Sequence, residues 1–312
     1  MMPLESIWDS RAQGKLLLTA EYAVLDGALA LALPVRYGQS LLVMPGEASG
    51  QLQWRSLDER GQPWFEARFD SADLSVVQTD QPETAATLRQ ILRRCRTQNQ
   101  EFLQPAAGGY QVFTQTDFPR QWGLGTSSTL IALLAQWAEV DPYGVLFDTL
   151  GGSGYDIACA FAKGPLLYHL VEGTPQVQPV AFAPAFSEQL FFVFLDKKQD
   201  SRAGIRHYRE RVQNKAGLLS ELSLLTERCL LAGTLEEFGS LLNEHEALIS
   251  AALGLPRVRD LYFPDFPGLV KSLGAWGGDF VLAASPAPGD AIRQYFAEKG
   301  FFTCIPYRDM VL

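Results

Sequence analysis

The chain has 312 residues, 47% of them apolar and 20% charged, so it can bury a substantial core and has the wrong composition for a disordered polymer. Its 35 acidic and 26 basic residues leave a net charge of −9, which argues against a nucleic-acid footprint and against an acidic lipid surface. Any anionic ligand must then be met by a local basic cluster.

From the N-terminus, "MMPLESIWDSRAQGK" has no basic head followed by an apolar core, and runs such as "ALALAL" are far below the ~20 residues of a membrane span, so no targeting or spanning segment is expected. Residues 15–45 read as strands broken by a turn at "LDGA". "LQWRSLDERGQPWFEARF" reads as a hairpin centred on "DERGQP". "PETAATLRQILRRCRTQ" is an amphipathic helix with Pro82 at its start and Leu88, Ile91, Leu92 and Cys95 on one face. "GYQVFTQT" follows as a strand, then "STLIALLAQWAEV" as a helix apolar nearly all round and therefore buried. Asp141 and Pro142 cap and open another short helix, which "GGSG" ends. "YDIACAFAKG" reads as helical and "PLLYHLV" as a strand.

A boundary is expected in the proline-rich stretch 172–186, dividing the chain into 1–178 and 179–312. Beyond it "QLFFVFLD" is a strand, "RAGIRHYRERVQNKAGLLSELSLLTERCLLAG" and "TLEEFGSLLNEHEALISAAL" are helical, and "GGDFVLAAS", "DAIRQYFAEKG" and "FFTCIPY" read strand, helix, strand. That order suits an α+β unit with helices on one face of an antiparallel sheet. Cys95, Cys159, Cys229 and Cys304 form no CxxC pair, and His169, His207 and His245 no ligand set, which fits a reduced, cytoplasmic protein. His245 is expected on an exposed helix face, and His169 in the core or at an edge.

Three glycine loops remain: "GLGTSS" at 123–128, "GGSGYD" at 151–156 and "GAWGGD" at 274–279. The first opens a helix, so its amides and the helix N-terminus form an anion site, with hydroxyls able to reach phosphate or Mg²⁺. It has no Lys-Ser or Lys-Thr pair of a Walker A loop and no third glycine of a dinucleotide fingerprint. The second is either a helix C-cap and turn or a loop presenting Asp156 as a base beside phosphate. The third is either a bend into a strand or a further backbone approach to phosphates.

Taken in order with "AQGKLLLTAEYAVLDGALALALPV" at 12–35, these segments resemble the GHMP kinase superfamily, the small-molecule kinases that include galactokinase, homoserine, mevalonate and phosphomevalonate kinases. "SGYDIACA" is similar to the segment carrying the catalytic aspartate of the mevalonate-type enzymes, and matches the branch called the GYDIA family. The resemblance implies an α+β, two-domain fold: an N-terminal ATP-binding domain like domain 2 of ribosomal protein S5, and a ferredoxin-like C-terminal domain. It implies ATP and Mg²⁺ as cofactors, Asp156 as base, and Lys15 beside the acceptor and γ-phosphate. Gly123, Leu124, Gly125, Thr126, Ser127 and Ser128 would wrap the triphosphate, with Ser127 on the metal. Gly274, Ala275, Gly277 and Gly278 would support the phosphate loop. Glu21 and Tyr22 would line the acceptor pocket, together with Ser201 and Arg202 from the basic run "DKKQDSRAGIRHY", which includes Lys197, Lys198 and Arg206.

The chain departs from the family pattern at Gln13 for proline, Ala20 for glycine and Trp276 for a glycine, and it lacks the metal-binding glutamate on the helix before the aspartate. Asp148, the nearest carboxylate upstream, reads as a solvated helix end or as a substitute for that glutamate, and Lys271 as an exposed helix-end lysine or a phosphate contact. The expected activity is transfer of the γ-phosphoryl group of ATP to a hydroxyl or phosphate of a small anionic metabolite of the mevalonate or phosphomevalonate type. The rivals are an ATP-dependent decarboxylase of the same fold and a non-catalytic nucleotide- or partner-binding protein. A homodimer is left open.

Overall fold

A computed structural model describes residues 6–46, 48–104, 109–197, 201–213, 215–274 and 276–312. The chain divides into two compact units, each assembled from separate segments: Met1–Gly14, Tyr37–Arg120 and Leu124–Phe161 in the first, and Lys15–Arg36, Gln121–Gly123 and Ala162–Leu312 in the second. Two strands, β1 (Trp8–Leu17) and β2 (Ala30–Gly46), pair with each other and run through both units.

In the first unit, the hairpin foreseen around "DERGQP" is β3 (Gln51–Leu57) and β4 (Pro63–Asp70), followed by β5 (Val76–Thr79). Helix α1 (Pro82–Gln98) then carries the chain to β6 (Gly109–Thr116), which lies parallel to β3 and antiparallel to β2. A crossover of that length is what a parallel pair needs. The strand order is β5-β4-β3-β6-β2. Helices α2 (Thr126–Ala138), α3 (Pro142–Thr149) and α4 (Tyr155–Cys159) complete the unit. Leu88, Ile91, Leu92 and Cys95 of α1 and Ile131, Leu133 and Leu134 of α2 share one core with Trp54, Phe65, Phe69 and Val112 of the sheet. The periodicity expected of α1 is thus the face it buries. The Asp141 carboxylate caps α3 through the Tyr143 and Gly144 amides. Helix α4 is shorter than "YDIACAFAKG" suggests, ending at Cys159.

In the second unit the start of β2 pairs with β7 (Leu166–Val171), and β7 with β8 (Thr174–Pro179). The proline-rich stretch therefore holds a strand, with Pro175 and Pro179 on an edge that needs no further donors. A second sheet contains β9 (Leu190–Phe194), which is followed by α5 (Ser201–Arg211), α6 (Ala216–Leu231), α7 (Leu235–Leu253) and α8 (Val258–Tyr262). The long helical run 202–233 is therefore two helices, interrupted after Arg211. Strands β10 (Leu269–Ser272) and β11 (Phe280–Ala284), helix α9 (Gly289–Glu298), β12 (Cys304–Pro306) and α10 (Tyr307–Met310) close the chain. The sheet order β10-β11-β9-β12 is antiparallel throughout, and with the intervening helices it gives the β-α-β-β-α-β course of a ferredoxin-like unit. Strand β10 has no counterpart in the sequence reading, because its four residues follow a proline- and aromatic-rich stretch and are too few to show a period.

Candidate functional site

The glycine loop at 123–128 changes unit between Gly123 and Leu124, so its two halves are taken in turn. In the first unit, Gly125 has φ 93 and serves as the N-cap of α2 without any side-chain cap hydrogen bond. Such a φ suits glycine, and it leaves the amides of the first turn to a ligand rather than to a capping oxygen. Leu124 is buried and anchors the turn, while Ser127 is exposed at the helix start. Ser128 is buried, and its hydroxyl donates to Asp156 Oδ2; the other oxygen of Asp156 accepts the Ile157 amide at 3.1 Å. The carboxylate itself is half-buried, in the first turn of α4 after the left-handed Gly154. The geometry thus brings Ser128 and Asp156, 28 residues apart in sequence, into direct contact.

Beside the same turn lies a cavity of about 210 Å³, walled by Trp54, Trp64 and Phe65, by Thr87 and Ile91 of α1, and by Thr126, Ser127 and Leu130 of α2. The Arg120 guanidinium lies 3.2 Å from the centroid of the Trp64 ring. No sequence signal singled this cavity out: its walls come from a hairpin and two helices, joined only by folding.

In the second unit, the Lys15 ammonium donates to the Gly123 carbonyl at 2.9 Å. Gly123 has φ 68, and a Cβ there would meet the Asp279 carboxylate, so a larger residue would strain the backbone and displace that side chain. In the third loop, Gly274 and Gly277 are left-handed and Gly278 is buried; Ala275 lies outside the described residues. Trp276 is packed into the interior of this unit. It is buried, with its indole N–H donating to the Pro256 carbonyl at 3.0 Å and its backbone amide to the Tyr22 hydroxyl at 2.9 Å.

Glu21 is fully buried rather than on a pocket wall, and Lys271 contacts it directly. Lys271 is on β10 and fully buried, which corrects the reading of an exposed helix-end lysine. His245 is likewise buried on α7, not exposed, and its Nε2 accepts the Ala20 amide at 2.7 Å. Its polar neighbours in "NEHEAL" mask the signal, which is its helical spacing from Phe238, Leu241, Leu242 and Ile249 on the buried face. Burial pushes the Glu21 carboxyl up to about 7 against the pull of Lys271. Burial, and then Lys271, hold His245 well below the usual histidine range. Tyr22 is raised by burial, and its ring stacks on Tyr208 of α5 at a 5.9 Å centroid distance. Both Ala20 and Tyr22 have positive φ, 62 and 61, which accounts for a glycine preference at the first of these positions. Arg202 and Arg206 are exposed on α5; Ser201 opens that helix, and Lys198 lies outside the described residues.

As a metal set, the residues of the first unit offer the Asp156 carboxylate and the Ser127 and Ser128 hydroxyls. Asp148 is engaged by Arg94 at 2.6 Å, and among the described residues no group of three His, Cys, Asp or Glu could hold an ion. One carboxylate plus hydroxyls fits Mg²⁺ carried in by nucleotide phosphates and keeping its waters, and does not fit a self-sufficient metal site.

No protein-family model matches the chain, and no curated protein matches it in sequence. Solved structures do match over nearly its full length. Mevalonate kinase from Methanococcus jannaschii is 13% identical, with a TM-score of 0.69 over 96% of this chain and 98% of that one. Phosphomevalonate kinase from Streptococcus pneumoniae, solved with phosphomevalonate and AMPPNP, is 15% identical, with a TM-score of 0.71 over 96% and 99%. A D-glycero-D-manno-heptose 1-phosphate kinase from Bacteriodes thetaiotaomicron is 16% identical, with a TM-score of 0.67 over 97% and 95%. The chain therefore has the α+β fold of the GHMP kinases. Among the described residues, no helix is long and apolar enough to cross a membrane.

Proposed function

We propose that the chain is an ATP-dependent phosphotransferase acting on a small anionic metabolite, of the mevalonate or phosphomevalonate class. The observation that carries this reading is the pairing of Ser128 with Asp156 at the uncapped start of α2, because it places a partly exposed carboxylate beside the amides suited to a triphosphate. The aromatic-walled cavity next to Thr126 and Ser127 suits a purine, with Trp64 as a stacking face. Residues 125–128 would hold the phosphates, and the Ser127 hydroxyl would hold Mg²⁺ on them. Bound Mg-ATP supplies the transferable phosphoryl group.

Asp156 orients the acceptor hydroxyl and takes its proton, while Ser128 fixes the carboxylate's direction. Lys15 neutralises charge developing near the transferred group. The exposed Arg202 and Arg206, with Lys197, supply the basic field that a chain of net charge −9 needs to attract an anionic acceptor. Of the kinases with this fold, one was solved with phosphomevalonate and another is named for heptose 1-phosphate, in keeping with an anionic acceptor here.

The test is ADP release from Mg-ATP by purified protein against mevalonate, phosphomevalonate, sugar phosphates and hydroxy acids, with Asp156→Asn in parallel. Acceptor-dependent turnover that collapses in the variant is expected. Nucleotide binding without turnover on any acceptor, unchanged by Asp156→Asn, favours the rival reading of a binding protein, and absence of nucleotide binding ends the kinase reading.

A further inference from the structure

The second unit buries a charge cluster that takes no part in the chemistry just described. Glu21, Lys271 and His245 are fully buried and Glu246 nearly so, gathered from the turn after β1, from β10 and from α7. Lys271 Nζ donates to Glu21 Oε1 and also to the Ser272 carbonyl at 2.9 Å. Glu246 Oε1 accepts the Ser272 amide at 2.9 Å. His245 Nε2 accepts the Ala20 amide and lies 3.7 Å from Glu21 Oε2.

The cluster is poorly designed for stability alone. Glu21 Oε2, His245 Nδ1 and Ser272 Oγ are buried without a hydrogen-bond partner. Buried ion pairs with unsatisfied atoms are commonly no better than apolar residues of the same size. What the cluster does supply is direction. The Ala20–Tyr22 turn holds two non-glycine residues at positive φ, a conformation that persists only when its surroundings fix it. Ser272 ends β10, two residues before Gly274 opens the third glycine loop, and both its backbone polar groups are held by the same cluster. A second tie joins the two segments further on, from the Trp276 amide to the Tyr22 hydroxyl. The ring of Tyr22 meanwhile lies where a side chain at position 204 of α5 would be: a Cβ on Gly204 would meet the Tyr22 hydroxyl at 2.5 Å.

We infer that Lys271 is a positioning residue that fixes the Ala20–Tyr22 turn and the third glycine loop against each other through Glu21 and the Ser272 carbonyl. The inference rests on the phosphotransferase reading for its purpose and on the hydrogen bonds alone for its geometry. It reassigns Glu21 as well, from the acceptor pocket to the support beneath it.

The test compares wild type, Lys271→Met and the charge-balanced double variant Glu21→Gln/Lys271→Met by three readouts: thermal midpoint, amide hydrogen exchange, and affinity for Mg-AMPPNP. Lys271→Met strands the Glu21 carboxylate and should lower the midpoint. The double variant removes both charges and should recover it. If Lys271 positions the loops, exchange in peptides covering Leu17–Val24 and Ser272–Asp279 rises about tenfold or more in both variants while α6 and α7 stay protected. AMPPNP affinity then stays about tenfold weaker even where the midpoint has recovered, since a support loosened by about 1 Å no longer presents the loop correctly. If exchange and affinity simply follow the midpoint back to wild type, Lys271 is structural ballast and the inference is overturned. Should wild type bind no AMPPNP, the phosphotransferase reading fails, and the exchange arm decides the positioning inference without it.

Discussion

At Ser128 and Asp156 the chain leaves a carboxylate partly open to solvent, held by one hydroxyl and one backbone amide; at Glu21 and Lys271 it seals a carboxylate and an ammonium completely. Both lie in or next to glycine-bearing segments, and both join residues far apart in sequence. They differ in what they can exchange. A half-exposed aspartate can trade its serine for a substrate hydroxyl, a metal or water within one catalytic cycle. A fully buried pair is closed to water, metal and substrate, and separating it leaves charge in a low-dielectric interior. The open pair is therefore suited to chemistry and the sealed pair to geometry, although from the sequence alone Glu21 and Asp156 carry equal weight as motif carboxylates.

The sharpest way to break that contrast is Asp156→Asn. Loss of a base with the fold retained should lower acceptor-dependent turnover by about 10³-fold, while Mg-AMPPNP affinity, read by titration calorimetry, changes by no more than a few-fold. Turnover retained in the variant would put the open carboxylate in the same supporting role as the sealed one. Lys15→Met comes next, with turnover expected to fall about 10²-fold, because the ammonium is lost both as a counter-charge and as the donor to the Gly123 carbonyl. Gly125→Ala is smaller again. A side chain at φ 93 strains the entry to α2 by roughly 1–3 kcal/mol, so AMPPNP affinity should weaken about tenfold with little change in turnover at saturating nucleotide.

The parts of this architecture visible in the sequence are those with a local cause. Helix α1 shows its buried face as a period, α3 shows its cap as Asp141-Pro142, and the β3–β4 turn shows itself in "DERGQP". The glycines of the first loop announce a backbone conformation only they adopt easily, and Gly125 does adopt it. Lys271 had no such signal: a lysine between Val270 and Ser272 looks like surface until separate elements close around it. His245 had one that its glutamate neighbours mask, since it falls at helical spacing with Phe238, Leu241, Leu242 and Ile249. The strand β10 that buries Lys271 was itself too short to be read, so the error about the residue followed from the missing element. The partner of Trp276 was equally hidden: nothing in its glycine loop shows that the indole is held by the Pro256 carbonyl, 20 residues upstream.

The smallest effect tests the sealed side of the comparison, and its sign follows from the carboxyl of Glu21. Burial raises that group from 4.5 to about 7, so the folded chain binds its proton more tightly than the unfolded chain does. This contribution to stability is fully present below about 4.5 and is lost as pH rises through about 7. The groups around it titrate as well. Glu246, raised by burial, adds a slope of the same sign, and His245, held neutral by burial and by Lys271, adds one of opposite sign at acid pH. Cys229, which also feels Lys271, stays protonated through this range because burial pushes it up to about 12. The useful quantity is therefore the difference between wild type and Glu21→Gln, in which those neighbours largely cancel. Urea midpoints measured from about pH 5 to about pH 8 should show wild type losing ground to the variant as pH rises, and levelling off above the titration. A difference that stays flat would mean that Lys271 keeps Glu21 ionised throughout, so that the ion pair outweighs the cost of its burial.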